Sequence, residues 1–78
     1  MKIVKIEYKV KCRIIYLNHN NVNYINHHFH NDNKLHWLYE TNDIFDVITC
    51  ESTKKHLSIL LSKHLIEYKL KRILKDEI

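Results

Sequence analysis

The 78 residues of this chain are enough for one small domain, and the formal charge is +4. A domain of this size buries only about 60–65% of its unfolded surface, so association with a second molecule is a natural supplement to stability. Since the chain has no glycine, the usual phosphate loop, dinucleotide fingerprint and oxyanion turn cannot be built. The mild positive charge allows contact with nucleic acid and argues against an acidic mimic of DNA.

Cysteine usage and hydropathy bear on the compartment. Cys12 and Cys50 are too few for a disulfide framework, and they indicate a reducing, cytoplasmic setting, which would be that of the host cell if the protein is viral. Both lie among apolar neighbours and are predicted to be packing residues. The sequence shows neither a charged-then-apolar leader nor a run of about 18 apolar residues, so we expect no signal peptide and no membrane span.

The composition also points to an origin. Ala, Gly, Pro and Gln are absent, whereas Ile, Lys, Asn and Tyr are abundant. The first three missing residue types have GC-rich codons and the four abundant types have AT-rich codons. This bias indicates an AT-rich genome, as in many phages, plasmids and some low-GC bacteria. It also means that the numbers of Lys, Asn and Ile carry little functional information.

The first predicted strand covers residues 3–17, where apolar and charged residues alternate with a period of two. One face of this strand carries Ile6, Tyr8, Val10, Cys12, Ile14 and Tyr16. The other face is solvated and basic, and it carries Lys5, Glu7, Lys9, Lys11 and Arg13. Ile15 and Leu17 interrupt the alternation, which suggests a bulge or a twist near the end of the strand.

Three further strands follow, separated by turns rich in Asn and Asp. Asn tolerates a positive φ, so turns are predicted at residues 18–21, 31–34 and 41–43. The strands between and after them are predicted at residues 22–30, 35–40 and 44–50. The last of these strands has an alternative, a short helix capped by Asn42 or Asp43.

A long C-terminal helix is predicted over residues 53–76, with Ser52 or Thr53 as its N-cap. Its first apolar stripe consists of Leu57, Leu60, Leu61, His64, Leu65 and Tyr68. The predicted fold class is therefore α+β: a single domain with an antiparallel four-stranded meander (ββββα), covered on one face by the long helix.

The helix has a second apolar stripe on nearly the opposite side, formed by Ile59, Ile66, Leu70 and Ile73. A helix packed on one sheet hides one stripe, so two stripes need two partners. One interpretation is a kink near Leu65 that turns each half toward the same core. The other is a homodimer in which the second stripe meets another copy of the chain, which the length of the helix favours.

A basic and aromatic sheet face is a second candidate surface. Four-residue turns would place Lys11 opposite His28, Lys9 opposite His30, and His28 opposite Trp37. That register gathers Lys9, Lys11, Arg13, His28, His30, Trp37 and Tyr39. Cations around aromatic rings hold single-stranded nucleic acid by phosphate attraction and base stacking. A slip of one residue would instead send Trp37 into the core.

Metal binding and catalysis are weaker hypotheses. His28 and His30 share a strand face and Asp32 follows, but this spacing matches no standard zinc pattern, so we expect solvated histidines and no metal or cofactor. His56 and His64 lie on the helix with no carboxylate placed to orient them, and His64 is predicted to be a core residue. A small RNase could use His, Lys and Tyr alone, but the spacing singles out no catalytic residue.

The sequence thus favours a non-enzymatic interaction protein from a phage or other mobile element. We expect it to act as a homodimer and to block a host macromolecule, most readily a host protein, as anti-defence or host-takeover inhibitors do. The alternative is a small nucleic-acid-binding regulator that uses the basic and aromatic sheet face.

Overall fold

The computed structural model describes the backbone of residues 1–76 and the side chains of residues 1–71. Along this part of the chain lie five strands and one helix: β1 (Lys2–Tyr8), β2 (Cys12–His19), β3 (Val22–Phe29), β4 (Leu35–Thr41), β5 (Ile44–Val47) and α1 (Glu51–Asp76). The strands form one antiparallel sheet in the order β1-β2-β3-β4-β5. The predicted α+β meander followed by a C-terminal helix is confirmed, but the sheet has five strands and not four.

The extra strand arises because the strand predicted over residues 3–17 is a hairpin. The Lys9 amide donates to the Cys12 carbonyl at 2.9 Å, and Val10 at the tip of the turn is 96% exposed. No Gly, Pro, Asn or Asp marks this turn, and the period-two alternation continues through it. The usual sequence signals of a chain reversal are therefore missing.

The prediction of which β2 side chains point toward the core is also wrong. Ile15 and Leu17 are buried, with 0% and 1% of their surface exposed. Ile14 and Tyr16 therefore point to the opposite side of the sheet, because side chains alternate along a strand. Both pairs of neighbours are apolar, so the pattern fits either facing equally well. The irregularity expected near Leu17 lies in β1, between Ile3 and Lys5.

Positive backbone dihedrals explain two tight hairpins. Asn20 and Asn21 have φ values of 51° and 63°, and Asn42 and Asp43 have φ values of 50° and 65°. A two-residue loop with both φ angles positive matches the right-handed twist of the strands that it joins. These residues carry the left-handed conformation that glycine would otherwise supply. Both turns lie where Asn and Asp predicted them, but the first consists of Asn20 and Asn21 alone and not of all four predicted residues, 18–21.

The core lies between the sheet and α1. It consists of Ile15, Leu17, Trp37, Ile48, Leu57 and Leu61. Leu60, His64, Leu65 and Tyr68 are half-buried, so the first apolar stripe of the helix faces inward as predicted. The strand predicted to end at residue 50 ends at Val47.

The helix begins at Glu51, two residues before the predicted start. The Cys50 carbonyl accepts a hydrogen bond from the Lys54 amide at 3.0 Å, which makes Cys50 the N-cap, where Ser52 or Thr53 was expected. In the part of the chain that the structure describes, no helix combines the length and the apolar character needed to cross a membrane.

Candidate interaction surfaces

The outer side of α1 carries three exposed apolar residues, which we call the outer ridge: Ile59, Ile66 and Leu70. They are 61%, 62% and 53% exposed. At about 100° per residue they fall within about 40° of one another, and Ile59 lies about 160° from the buried Leu57 and Leu61. The ridge runs for about 17 Å along the helix. Ile73, the fourth residue predicted for this surface, lies outside the residues whose side chains are described.

The outer ridge is not covered by the sheet of its own chain. A kink near Leu65 would have turned Ile66 and Leu70 toward the strands. Instead, α1 is one uninterrupted α-helix from Glu51 to Asp76, and both side chains are more than half exposed. The kinked alternative therefore does not hold for these two residues.

The sheet presents a second apolar surface on the side away from the helix, which we call the open face. One row of side chains crosses four strands there, since Tyr16 pairs with Ile25, Ile25 with Leu38, and Leu38 with Val47. Phe45 lies on the same side. Val47 and Phe45 are 54% and 41% exposed, because α1 packs on the other side of the sheet and no other element of residues 1–71 covers this one.

A shallow hollow of about 250 Å³ lies on the open face, with Val4, Tyr16, Ile25 and Phe45 in its lining. The Lys5 ammonium lies 5.9 Å from the Tyr16 ring centroid, which is a cation–π distance. Beside this row, further along β3 on the same side of the sheet, the rings of His27 and Phe29 stack at 4.2 Å. The open face thus combines aliphatic and aromatic groups, the combination enriched at the centre of protein interfaces.

Two charged side chains on the open face, Lys5 and Glu7, form an ion pair with each other. The Lys5 ammonium lies 2.7 Å from a Glu7 carboxylate oxygen. Their hydrogen bond raises the pKa of Lys5 and lowers the pKa of Glu7. Lys5 was predicted to belong to a continuous basic face with Lys9, Lys11 and Arg13, but the hairpin separates these residues. Lys9 and Lys11 lie in the turn, and Arg13 lies on the helix side of β2 beside His28.

The predicted nucleic-acid platform is not formed. Trp37 is 1% exposed and belongs to the core, and Tyr39 packs against that core, so neither ring is free to stack on a base. The register is shifted by two residues, because the loop between β2 and β3 has two residues where four were assumed. His28 therefore pairs with Arg13 in place of Lys11. A separate shift of two residues, at the longer loop between β3 and β4, pairs His28 with Leu35 in place of Trp37.

The histidine cluster shows no metal-binding geometry. The rings of His28 and His30 lie 5.7 Å apart, and His28 Nε2 is hydrogen-bonded to Asn33 Oδ1 at 2.7 Å. In the described part of the chain, no group of three or more His, Cys, Asp or Glu side chains is arranged to hold a metal ion. His30 was predicted opposite Lys9, but its amide donates to the Lys11 carbonyl at 2.9 Å.

The two histidines of the helix differ in solvent exposure. His56 is exposed, whereas His64 is half-buried, and His64 Nδ1 lies 3.5 Å from a Glu67 carboxylate oxygen. A carboxylate near His64 was not expected from the sequence. Because Glu67 is three residues along the same helix and largely exposed, the pair resembles an ordinary helix-surface interaction.

The prediction that Cys50 is a packing residue is wrong. Cys12 is buried as predicted, but Cys50 is exposed, and its Sγ lies 3.1 Å from the Ser52 hydroxyl. Hydrogen bonds from the Ser52 and Thr53 side chains lower the pKa of the Cys50 thiol to about 7. The signal in the sequence was a Cys directly before the acidic residue and two hydroxyl residues that open the helix.

Comparison of this chain with protein-family models, with curated proteins and with solved structures found no match.

Proposed function

We propose that this protein is a non-enzymatic interaction protein that forms a homodimer through the outer ridge and uses its open face to bind a partner protein. The observation that carries the proposal is the exposure of Ile59, Ile66 and Leu70, which lie on the side of the helix away from the core. Another helix can cover an aligned apolar ridge of this kind along its whole length.

A second copy of the chain is the occupant that the ridge fits best. A twofold axis would bring the same ridge from two chains together, and such self-complementary pairing is the commonest form of small oligomer. A domain of 78 residues gains proportionately more than a large one from covering apolar surface. Because the described ridge is only about 17 Å long, we expect a modest interface and a dimer that dissociates on dilution.

Sedimentation velocity over a range of protein concentrations tests the dimer. In the variant Ile66→Gln with Leu70→Gln, the ridge becomes polar while helix propensity is kept, since Gln is a good helix former. We expect the wild type to shift from monomer to dimer as concentration rises and the variant to remain monomeric. Lys69→Gln with Lys71→Gln, two exposed positions that lie about 80° and 120° from Ile59 around the same helix, is the matched control and should dimerise. A wild type that stays monomeric at high micromolar concentration contradicts the proposal.

The open face is the proposed target surface. Phe45, which lines the hollow, and Val47, which ends the apolar row, are both exposed, and neither belongs to the outer ridge. Capture of partners from a host lysate, with and without nuclease, separates a protein target from a nucleic acid. We expect a specific protein to be retained after nuclease treatment and lost with Phe45→Ser and Val47→Ser. Retention of that protein by the open-face variant, or its loss on nuclease treatment, contradicts the proposal.

The biological role proposed is inhibition of a host macromolecule by a phage or mobile-element protein. The small size and the AT-rich coding bias support this role, together with two apolar surfaces on one small domain. The nucleic-acid alternative loses its main support, because Trp37 is buried and only Lys9, Lys11 and His30 of the residues predicted for that face are exposed. Binding to random oligonucleotides that weakens steeply with salt would restore it.

A further inference from the structure

A cleft of about 260 Å³ with a mixed polar and apolar lining lies between the sheet and α1. We call it the Arg13 cleft. Its polar lining comes from Arg13, Asn26, His28, Asn33, Ser58 and Ser62. The first three belong to neighbouring strands, where Arg13 pairs with His28. The serines come from successive turns of the helix, so the cleft is built by parts of the chain that are far apart in sequence.

Two buried polar atoms of the cleft residues have no hydrogen-bond partner in the described part of the chain. They are Arg13 Nε and Asn26 Oδ1. Asn26 is 1% exposed and is the buried polar residue at the centre of the sheet. Folded proteins leave few buried donors and acceptors unpaired, because each such group loses its hydrogen bonds to water. One unpaired donor and one unpaired acceptor in the same cleft therefore point to a missing ligand.

The charge of the cleft selects an anion. No carboxylate lines it, and Arg13 forms no ion pair with any side chain of residues 1–71. The guanidinium is always charged and offers a planar set of donors that suits phosphate and carboxylate. The cleft thus holds a permanent positive charge that the surrounding chain does not neutralise.

The other polar groups are already oriented. The Trp37 indole donates to Ser58 Oγ at 3.0 Å, so the Ser58 hydroxyl hydrogen is free to donate to a ligand. His28 Nε2 is held by Asn33 Oδ1 at 2.7 Å, which fixes the imidazole ring beside Arg13. The cleft therefore presents the guanidinium and hydroxyl donors together with one buried acceptor.

We propose that the Arg13 cleft binds a phosphate group, either as inorganic phosphate or as the phosphate of a small monoester. The oxygens of the phosphate accept from Arg13 and from the serine hydroxyls. A phosphate that keeps one proton also has a P–OH group, which donates to Asn26 Oδ1. A carboxylate has no such hydrogen near neutral pH and would leave Asn26 unpaired. This site is separate from the outer ridge, because neither Ile59, Ile66 nor Leu70 lines the cleft.

NMR titration of the full chain at pH 6 tests the proposal, with inorganic phosphate and adenosine monophosphate as the two probes. At this pH inorganic phosphate and about half of a phosphate monoester keep the proton of the P–OH group. We expect saturable shifts of the amides of Arg13, Asn26 and Ser58 with at least one probe. The probe that binds tighter identifies the source, free phosphate or a monoester. Sulfate has the same tetrahedral shape and at least as much negative charge but no proton at this pH, and acetate is a carboxylate. Both should bind at least about tenfold more weakly, because each leaves Asn26 Oδ1 unpaired.

Arg13→Gln should weaken phosphate binding at least about tenfold, because it removes the charged donor. Lys34→Gln is the matched control: it removes a cation near the cleft, one that is 69% exposed and lies 3.8 Å from Asp32, and it should bind as the wild type does. The amide spectrum without ligand shows directly whether each variant is folded. Absence of saturable shifts in the wild type, equal affinity for sulfate, or undiminished binding by folded Arg13→Gln would each overturn the proposal.

Discussion

The indole nitrogen of Trp37 donates a hydrogen bond of 3.0 Å to the hydroxyl of Ser58, 21 residues further along the chain. This bond joins the centre of the sheet to the second turn of the helix. It also explains how the core accommodates the Trp37 N–H group, since a buried indole needs a partner for its single donor.

Ser58→Ala should destabilise the fold by about 1–3 kcal/mol, because it leaves the Trp37 N–H buried and unpaired. Urea denaturation followed by Trp37 fluorescence measures the change, since this is the only Trp in the sequence. Ser62→Ala is the matched control, because it makes the same gain in helix propensity at an exposed position one turn on. It should change stability by less than about 0.5 kcal/mol. Equal effects of the two changes would show that the hydrogen bond contributes nothing.

A pair of valine substitutions at adjacent positions tests which side chains of β2 point toward the core. Ile15→Val removes one methylene from a side chain that is 0% exposed, and it should cost about 0.5–1.5 kcal/mol. Ile14→Val removes the same group from the open face and should cost clearly less. Denaturation of both variants under the same conditions makes the comparison. A larger cost at Ile14 would mean that the open face is covered in solution or that the facing is reversed.

These two residues show where the sequence was informative and where it was not. The helix, the Asn turns and the inward stripe of α1 were predictable, because each depends on a local signal of period or backbone geometry. The facing of Ile14 and Ile15 was not, because adjacent apolar residues satisfy both choices. The hairpin at residues 9–11 was missed for a related reason: its residues continue the alternation of the strands on either side.

The same limit applied to the candidate surfaces. The outer ridge was predictable, since it follows from helical spacing alone, and the exposure of Ile66 agrees with that expectation. The Arg13 cleft depends on strand register, on the exact loop between β2 and β3, and on which serines of the helix face the sheet. A difference of two residues in one loop moved His28 from Lys11 to Arg13, and no pattern within a single strand contains that information.

The turn at Asn20 and Asn21 gives a further prediction. Asn21 has a φ of 63°, a conformation that costs an ordinary L-residue about 1–2 kcal/mol but costs Asn and Gly much less. Asn21→Ala should therefore lower the free energy of unfolding by about 1 kcal/mol, while Asn21→Gly should leave it nearly unchanged. Asn31→Ala, at an exposed turn position without a positive φ, is the control and should have little effect. Equal losses at both Asn positions would contradict the backbone explanation.

Cys50 should react with iodoacetamide in a way that reflects its lowered pKa of about 7. At pH 7 about half of this thiol is ionised, against about 1% of a thiol whose pKa is 9.0. The lower basicity of the thiolate offsets part of this advantage, so alkylation should be roughly fivefold faster than that of an ordinary Cys. Mass spectrometry distinguishes Cys50 from Cys12, which is buried and should react slowly.

The pH dependence follows from the sign of the shift. Since folding lowers the pKa of Cys50, its contribution to stability is fully present above the ordinary value of 9.0 and is lost as the pH falls through about 7. Ser52→Ala removes the largest cause of the shift, so the midpoint of the alkylation profile should move upward toward that of a free thiol. Thr41→Ala, distant from the helix N-terminus in the sequence, should leave the midpoint in place. An unchanged midpoint in Ser52→Ala would show that the Ser52 hydroxyl does not stabilise the thiolate.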